Sequence, residues 1–242
     1  MVITSLENNK IKDLVKLQTK KYRDSTNTFL VEGYHLVEEA YKSGILKEVF
    51  VLEGTSIELD IPITYVSSDV MKKITTTDTY CDIVGLCEKK ENNEIIGNKL
   101  LLLDDIQDPG NLGTIIRSSV AFNVDTIILS PNTVDLYNPK VLRSTQGMFC
   151  HINIITMDLV EAINTIKSKG ISVYGTNVNN GIDVRSINDT DSYALIIGNE
   201  GNGVKEYIQD MCDKNLYIKM NSKTESLNVG VACSILLYEL EK

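Results

Sequence analysis

The 242-residue chain reads as an α/β protein in two parts, a mostly parallel sheet with helices on both faces preceded by a smaller α/β module. Three observations predict this. Short runs rich in Leu, Ile and Val alternate with longer helical stretches along the sequence. Leu100, Leu101, Leu102 and Leu103 form a continuous apolar run ending in Asp104 and Asp105, as a strand buried on both faces does. Glycine-bearing turns at 108–113 and 198–203 follow two such runs, where a parallel sheet leaves room for a ligand beyond its strand ends.

Taken in order, a basic helix is expected over 8–21, then a strand at 28–31 and a helix over 34–42. Strands at 46–52, 63–66 and 82–87, with a short helix before the last, complete a small α/β sandwich. The polar stretch 88–98 ends in Gly97 and Asn98 and reads as a joint, giving modules of 1–92 and 93–242. Beyond it, strands fit at 100–103, 126–129, 152–155, 172–175, 194–197 and 215–218. Helices fit from 108 to about 122, and over 138–145, 158–168, 203–210 and 226–240. In the last of these, Leu227, Val231, Ile235 and Tyr238 recur at helical spacing and are expected to form the buried face.

Composition narrows the function. An apolar share of 43% supports a real core, and 24% charged residues with four prolines exclude a disordered chain. A formal charge of −9 argues against a nonspecific coat for nucleic acid. The charge is uneven, however. Residues 1–23 hold Lys10, Lys12, Lys16, Lys20, Lys21 and Arg23 against Glu7 and Asp13, a local balance of +4. That pattern fits a phosphate-contacting arm and equally a solvated helix face. Five cysteines without CxxC spacing read as free thiols of a reducing compartment, and no secretory signal or membrane span is expected. The location implied is cytoplasmic. The two histidines, His35 and His151, stand in no ligand motif, so no metal is expected.

Three loops carry the chemistry. In the first, Asp108, Pro109, Gly110, Asn111, Leu112 and Gly113 open a helix, with Asn111 expected as its cap. Arg117 follows six residues on, nearly two turns, and is expected roughly on the Asn111 face. In the second, Gly198, Gly201 and Gly203 let backbone amides approach a ligand, with Glu200 placed to meet an amide, a hydroxyl or an arginine. In the third, Ser226 and Asn228 sit where a loop becomes an apolar helix. Each alone is also explained by capping or turn chemistry. The first lacks GxGxxG, which disfavours a nicotinamide enzyme.

Together, and in this order, the loops resemble the SpoU (TrmH-like) branch of the SPOUT RNA 2′-O-ribose methyltransferases. Asn111, Gly113 and Arg117 match the family's first motif; Gly198, Glu200 and Gly201 match the second; Ser226, Leu227, Asn228, Val229 and Ala232 match the third. Arg143, Ser144, Gly147 and Met148 resemble a fourth stretch, in which Thr145 and Gln146 depart from the pattern, and Lys219 stands where a proline is frequent. The resemblance covers residues 99–242. The front module, through Phe29 to Gly33 and Leu36 to Glu39, resembles the family's L30e-like substrate-binding domain.

The resemblance implies a deep trefoil knot, a topology that pattern reading does not propose. It implies S-adenosylmethionine as cofactor, held by Thr176, Gly198, Gly201, Ile218 and Leu227. Asn111, Arg117, Glu200, Ser226 and Asn228 become the expected catalytic residues. It also implies a homodimer through the knot domain, with RNA gripped by Lys10, Lys12, Lys16, Lys20, Lys21, Arg23 and Arg143. Ribosomal RNA of the large subunit is the expected substrate; transfer RNA, or an idle RNA-binding factor on this fold, are the alternatives.

Overall fold

The computed structural model describes residues 2–77, 81–90, 94–177, 181–188 and 190–241. The chain divides into two compact units, Met1–Glu91 with Asp135–Cys150, and Asn92–Val134 with His151–Lys242. The joint expected between 92 and 93 lies outside the described residues.

The first unit begins with β1 (Val2–Ile3), α1 (Asn9–Lys16), α2 (Lys20–Thr26), β2 (Thr28–Glu32) and α3 (Tyr34–Lys42). It continues with β3 (Leu46–Leu52), β4 (Ile63–Val66), α4 (Ser68–Ile74) and β5 (Ile83–Glu88). The five strands lie in the order β1-β4-β3-β5-β2, parallel from β1 to β3 and antiparallel around β5. Ile11 and Leu14 of α1 and Val70 and Ile74 of α4 pack with Leu30, Phe50 and Val84 in one core. Gly85 allows close packing over the sheet, since a Cβ there would lie 2.6 Å from Leu46 Cδ1 and 3.3 Å from Val37 Cγ2. The single basic helix expected over 8–21 is two helices. Thr19 is extended, and its hydroxyl donates to the Lys16 carbonyl at 2.9 Å, closing α1 before α2 begins.

The second unit starts with β6 (Lys99–Leu103), α5 (Pro109–Ala121) and β7 (Thr126–Leu129). The chain then forms α6 (Pro139–Thr145) and a 3-10 turn (Met148–Cys150), which belong to the first unit. It returns as β8 (Asn153–Thr156), α7 (Leu159–Ser168), β9 (Ser172–Thr176), β10 (Ile182–Asp183) and β11 (Tyr193–Ile197). The last elements are α8 (Glu206–Gln209), β12 (Lys214–Tyr217) and α9 (Val229–Leu240). Seven strands run β10-β12-β9-β11-β6-β7-β8, and each pairing is parallel.

Alternation along the strands sorts the core. Leu100, Leu102, Ile128, Ala194 and Ile196 meet Leu159, Ile163 and Ile166 of α7 and Ile208 of α8. Their neighbours Leu101, Leu103, Ile127 and Leu195 are buried on the other face, and α5 and α9 pack on each other. The fold class expected from the sequence is thus the one observed. Further details differ. The edge strands β1 and β10 have only two residues each and no periodic signal, and the helix expected over 203–210 is a single turn. Among the described residues no helix is long and apolar enough to cross a membrane. The five cysteines are free thiols.

One expectation is reversed on α9. Its buried face is Gly230, Cys233, Leu236, Leu237 and Leu240, whereas Val231 is 46% and Tyr238 65% exposed. The helix is apolar on nearly every side, so periodicity alone could not choose the buried one.

Candidate active site

The paired strands β6 and β11 end together at Leu103 and Ile197, so the loops that follow them emerge side by side. Asp108, not Asn111, caps α5: its carboxylate accepts the Asn111 amide at 2.9 Å, with Pro109 in the first turn. The expected cap is therefore displaced by three residues, which frees the Asn111 side chain. Its Nδ2 donates to Glu200 Oε1 at 3.0 Å, and its Oδ1 accepts Asn228 Nδ2 at 2.8 Å. Asn228 is the cap of α9, its Oδ1 accepting the amides of Gly230 and Val231 at 2.9 and 3.2 Å. A single chain of side chains, Glu200 to Asn111 to Asn228, thus links all three loops.

Glu200 also accepts the backbone amides of Asp108 at 3.0 Å and Gln107 at 3.1 Å. Burial alone would raise its pKa. The hydrogen bonds from Asn111 and from the Asp108 and Gln107 amides outweigh it and hold the carboxyl below the usual glutamate range. At neutral pH Glu200 is an ionised acceptor that organises donors, rather than a proton source.

The loop bearing Glu200 closes on itself. Asn199 and Gly203 exchange backbone hydrogen bonds of 3.0 and 2.9 Å, and Asn199 Oδ1 accepts the Gly201 amide at 2.9 Å. A Cβ on Gly198 would lie 2.0 Å from the Gly203 carbonyl carbon and from the Val204 nitrogen, so only glycine fits.

Beside this loop lies a cavity of about 400 Å³. Its walls include Thr176, Gly198, Gly201, Ile218 and Leu227, together with Glu200 and Ser226. Asn177, Gln209, Tyr217 and Met220 line it as well and were not singled out from the sequence. Asn177 and Tyr217 stand at the ends of the neighbouring strands β9 and β12, and the strand-end rule could have found them. The walls combine apolar Ile218, Leu227 and Met220 with backbone polar groups around the glycines, and the space is that of a small-molecule site. A nucleoside with an amino-acid tail fits this donor set.

Arg117 does not line the cavity. Six residues at 100° each place it about 120° around α5 from Asn111, and it is exposed, without an ion pair among the described residues. On the first unit, Lys20 and Lys21 are exposed, while Lys10 pairs with Glu48, Lys12 with Glu7 and Lys16 with Asp13. Arg23 is 3% exposed, donating to the Leu17 carbonyl at 2.8 Å and pairing with Asp135. It is a buried strut of the first unit and presents nothing to RNA, which corrects the expectation for this residue. Arg143 is half-buried and donates to Glu32 at 3.1 Å and Thr76 at 2.8 Å. His35, Glu38 and Glu39 bring possible metal ligands within 4.8 Å of one another. Lys42 already supplies their positive charge, 2.9 Å from Glu38 and 3.3 Å from Glu39.

Both parts of the chain are similar to known proteins. Residues 8–85 match an MRM3-like substrate binding domain. The 23S rRNA (guanosine(2553)-2'-O)-methyltransferase RlmP of Bacillus subtilis (strain 168) is 44% identical over 243 residues, 98% of each chain. The crystal structure of the AdoMet-bound rRNA methyltransferase from Sinorhizobium meliloti aligns with TM-score 0.87 at 29% identity, over 99% of this chain and 97% of that one. The SpoU methyltransferase AviRb from Streptomyces viridochromogenes, at TM-score 0.88 and 21% identity over 97% of each chain, shares the fold. Residues 98–238 match the SpoU rRNA Methylase family, and the chain belongs to it.

Proposed function

We propose that this protein transfers a methyl group from S-adenosylmethionine to a ribose 2′-hydroxyl of 23S ribosomal RNA. The observation that carries the reading is the Glu200–Asn111–Asn228 chain, fastened across three loops beside a cavity of cofactor size. The guanosine named for the Bacillus relative is the first nucleotide to test. When bound, S-adenosylmethionine supplies a methyl already activated on sulfonium sulfur. Thr176, Gly198, Gly201, Ile218 and Leu227 would hold it with Ser226 in the same wall, and Glu200, Asn111 and Asn228 keep the loops in place around it. The protein's remaining work is to align the ribose oxygen and stabilise the charge it develops.

Arg117 serves that second task. A guanidinium stays protonated in water, so it acts as a clamp on the RNA phosphate and the developing oxyanion rather than as the base. Because Arg117 is exposed and outside its own cavity wall, we assign it to the cavity of a second subunit. The outer face of α9, with Val231, Tyr238 and the neighbouring Phe122, supplies an apolar surface for such a homodimer. The trefoil knot belongs to the same reading, as membership of the family implies. Lys20, Lys21 and Arg143 on the first unit grip the RNA, and the reaction takes place in the cytoplasm, where ribosomal RNA is met.

The deciding experiment incubates purified protein with labelled S-adenosylmethionine and unmodified 23S rRNA, then maps 2′-O-methylation. A single labelled ribose in the large-subunit RNA is expected; label only in transfer RNA, or none, refutes the reading. Arg117→Lys is expected to lower the single-turnover rate by roughly tenfold or more, since the planar fork is lost. A near-normal rate refutes the clamp.

A further inference from the structure

Behind the Glu200 loop lies a second, separate fastening. At the end of β6, Asp104 is 1% exposed, and Asp105 adopts a left-handed backbone with φ 58°. Both carboxylates converge on Lys205, the second residue after Gly203. Its Nζ lies 2.9 Å from Asp104 Oδ1 and 2.6 Å from Asp105 Oδ2, and its backbone amide donates to Asp104 Oδ2 at 2.9 Å. Asp105 is held from the far side too: its amide donates to Ser130 Oγ at 2.9 Å, the same hydroxyl bonds its Oδ1 at 2.6 Å, and its carbonyl accepts Asn199 Nδ2 at 2.8 Å.

The consequence is geometric. A left-handed turn is unfavourable for a residue with a side chain, so the contacts around Asp105 must hold it. That turn sets the direction in which the Gln107 and Asp108 amides leave β6, and those amides are the ones Glu200 accepts. Two clamps therefore join the same pair of loops: Lys205 to Asp104 and Asp105 at the base, Glu200 to Gln107, Asp108 and Asn111 at the tip. Burial works against a charged Lys205, yet the hydrogen bonds to Asp105 and Asp104 prevail and keep its pKa above the ordinary lysine value. Without the ammonium, two adjacent carboxylates, one fully buried, would lose the cation they share.

We propose that Lys205 is a positioning residue for the cofactor site, fixing the Asp105 turn and through it the donors that hold Glu200. This deepens the methyltransferase reading and rests on it for the identity of the ligand. Two measurements on the full-length protein test it, one without ligand and one with S-adenosylmethionine. In Lys205→Met, hydrogen exchange in the free protein should quicken by tenfold or more at the Gln107, Asp108, Gly201 and Asn202 amides, well beyond residues 104 and 205. Calorimetric titration should show S-adenosylmethionine affinity reduced about tenfold, with Lys205→Arg recovering to within a few-fold of the parent.

Parent-like exchange at those four amides, or parent-like affinity in Lys205→Met, overturns the proposal. So does an arginine variant as impaired as the methionine one. Should Lys205→Met not fold, Asp105→Asn, which keeps the turn residue small, is expected to weaken affinity several-fold, and unchanged affinity there is equally fatal. A parent protein that fails to bind S-adenosylmethionine would instead sink the methyltransferase reading, leaving the exchange result to stand on its own.

Discussion

Glu200 meets four donors with one carboxylate: two backbone amides and the side-chain amides of Asn111 and Asn199. Glutamine would match its shape but turn an N–H toward that ring of N–H groups. A donor facing a donor loses the bond and sets two like dipoles against each other. Glu200→Gln is therefore expected to lower cofactor affinity roughly ten- to a hundredfold, the span of one or two charged hydrogen bonds; calorimetry of the purified variant checks it. Gly198→Ala tests a different constraint, because the obstacle is backbone and cannot rotate away. Overpacking of this kind costs on the order of 1–3 kcal/mol, and the loop must open to accept the methyl. Denaturant unfolding should register the loss, and cofactor binding should fall with it.

Among the elements, α5 and α9 decide most, since each begins at the site. Their close approach is set at Gly230, where a Cβ would come 3.1 Å from Thr114 Cγ2, and at Ser118, whose hydroxyl lies 2.6 Å from that of Ser234. Apart from the two-residue strands β1 and β10, the strands of both units and the three loops were legible in the sequence because apolar runs and glycine turns leave direct marks, as at Leu100 to Leu103 and Gly198. The face of α9 was not. With Val231, Ile235, Leu236 and Leu237 all apolar, hydrophobicity marks no side, and only packing against α5 reveals which one is inside. The cap of α5 was misplaced for a related reason: Asp108 and Asn111 are both good caps, and Pro109 in the first turn favours the earlier one. The outward face of α9 leads to a prediction. Tyr238→Asp places a charge where the proposed homodimer buries a ring, at little cost to the protomer because Tyr238 is 65% exposed. Sedimentation should show a dimer for the parent and a monomer for the variant, with methyl transfer lost if Arg117 acts across subunits. A variant that stays dimeric places the interface elsewhere.

For the molecule as a whole, charge is the property that composition described least well. The excess of +4 in residues 1–23 suggests a broad basic arm, yet folding uses much of it internally. Arg23 is consumed by Asp135, and Lys10, Lys12 and Lys16 sit beside carboxylates that spacing along the sequence did not wholly reveal, Glu48 being 38 residues away from Lys10. Surface pairs of this kind are weak and screened by salt, so RNA can still recruit the lysines, but each brings its carboxylate along. Lys20 and Lys21 carry no ion pair among the described residues and offer undiluted charge at the start of α2. Each phosphate contact made by such a lysine releases condensed counterions, which steepens the salt dependence of binding by roughly one unit of slope. Replacing both Lys20 and Lys21 with alanine should therefore flatten the plot of log affinity against log salt by nearly two units, while Lys12→Ala, whose partner Glu7 already neutralises it, should change the slope by much less. Filter binding of a 23S rRNA fragment across a salt series measures both. Equal slopes for the parent and the double variant would remove α2 from the RNA-binding surface and leave the grip to other parts of the first unit.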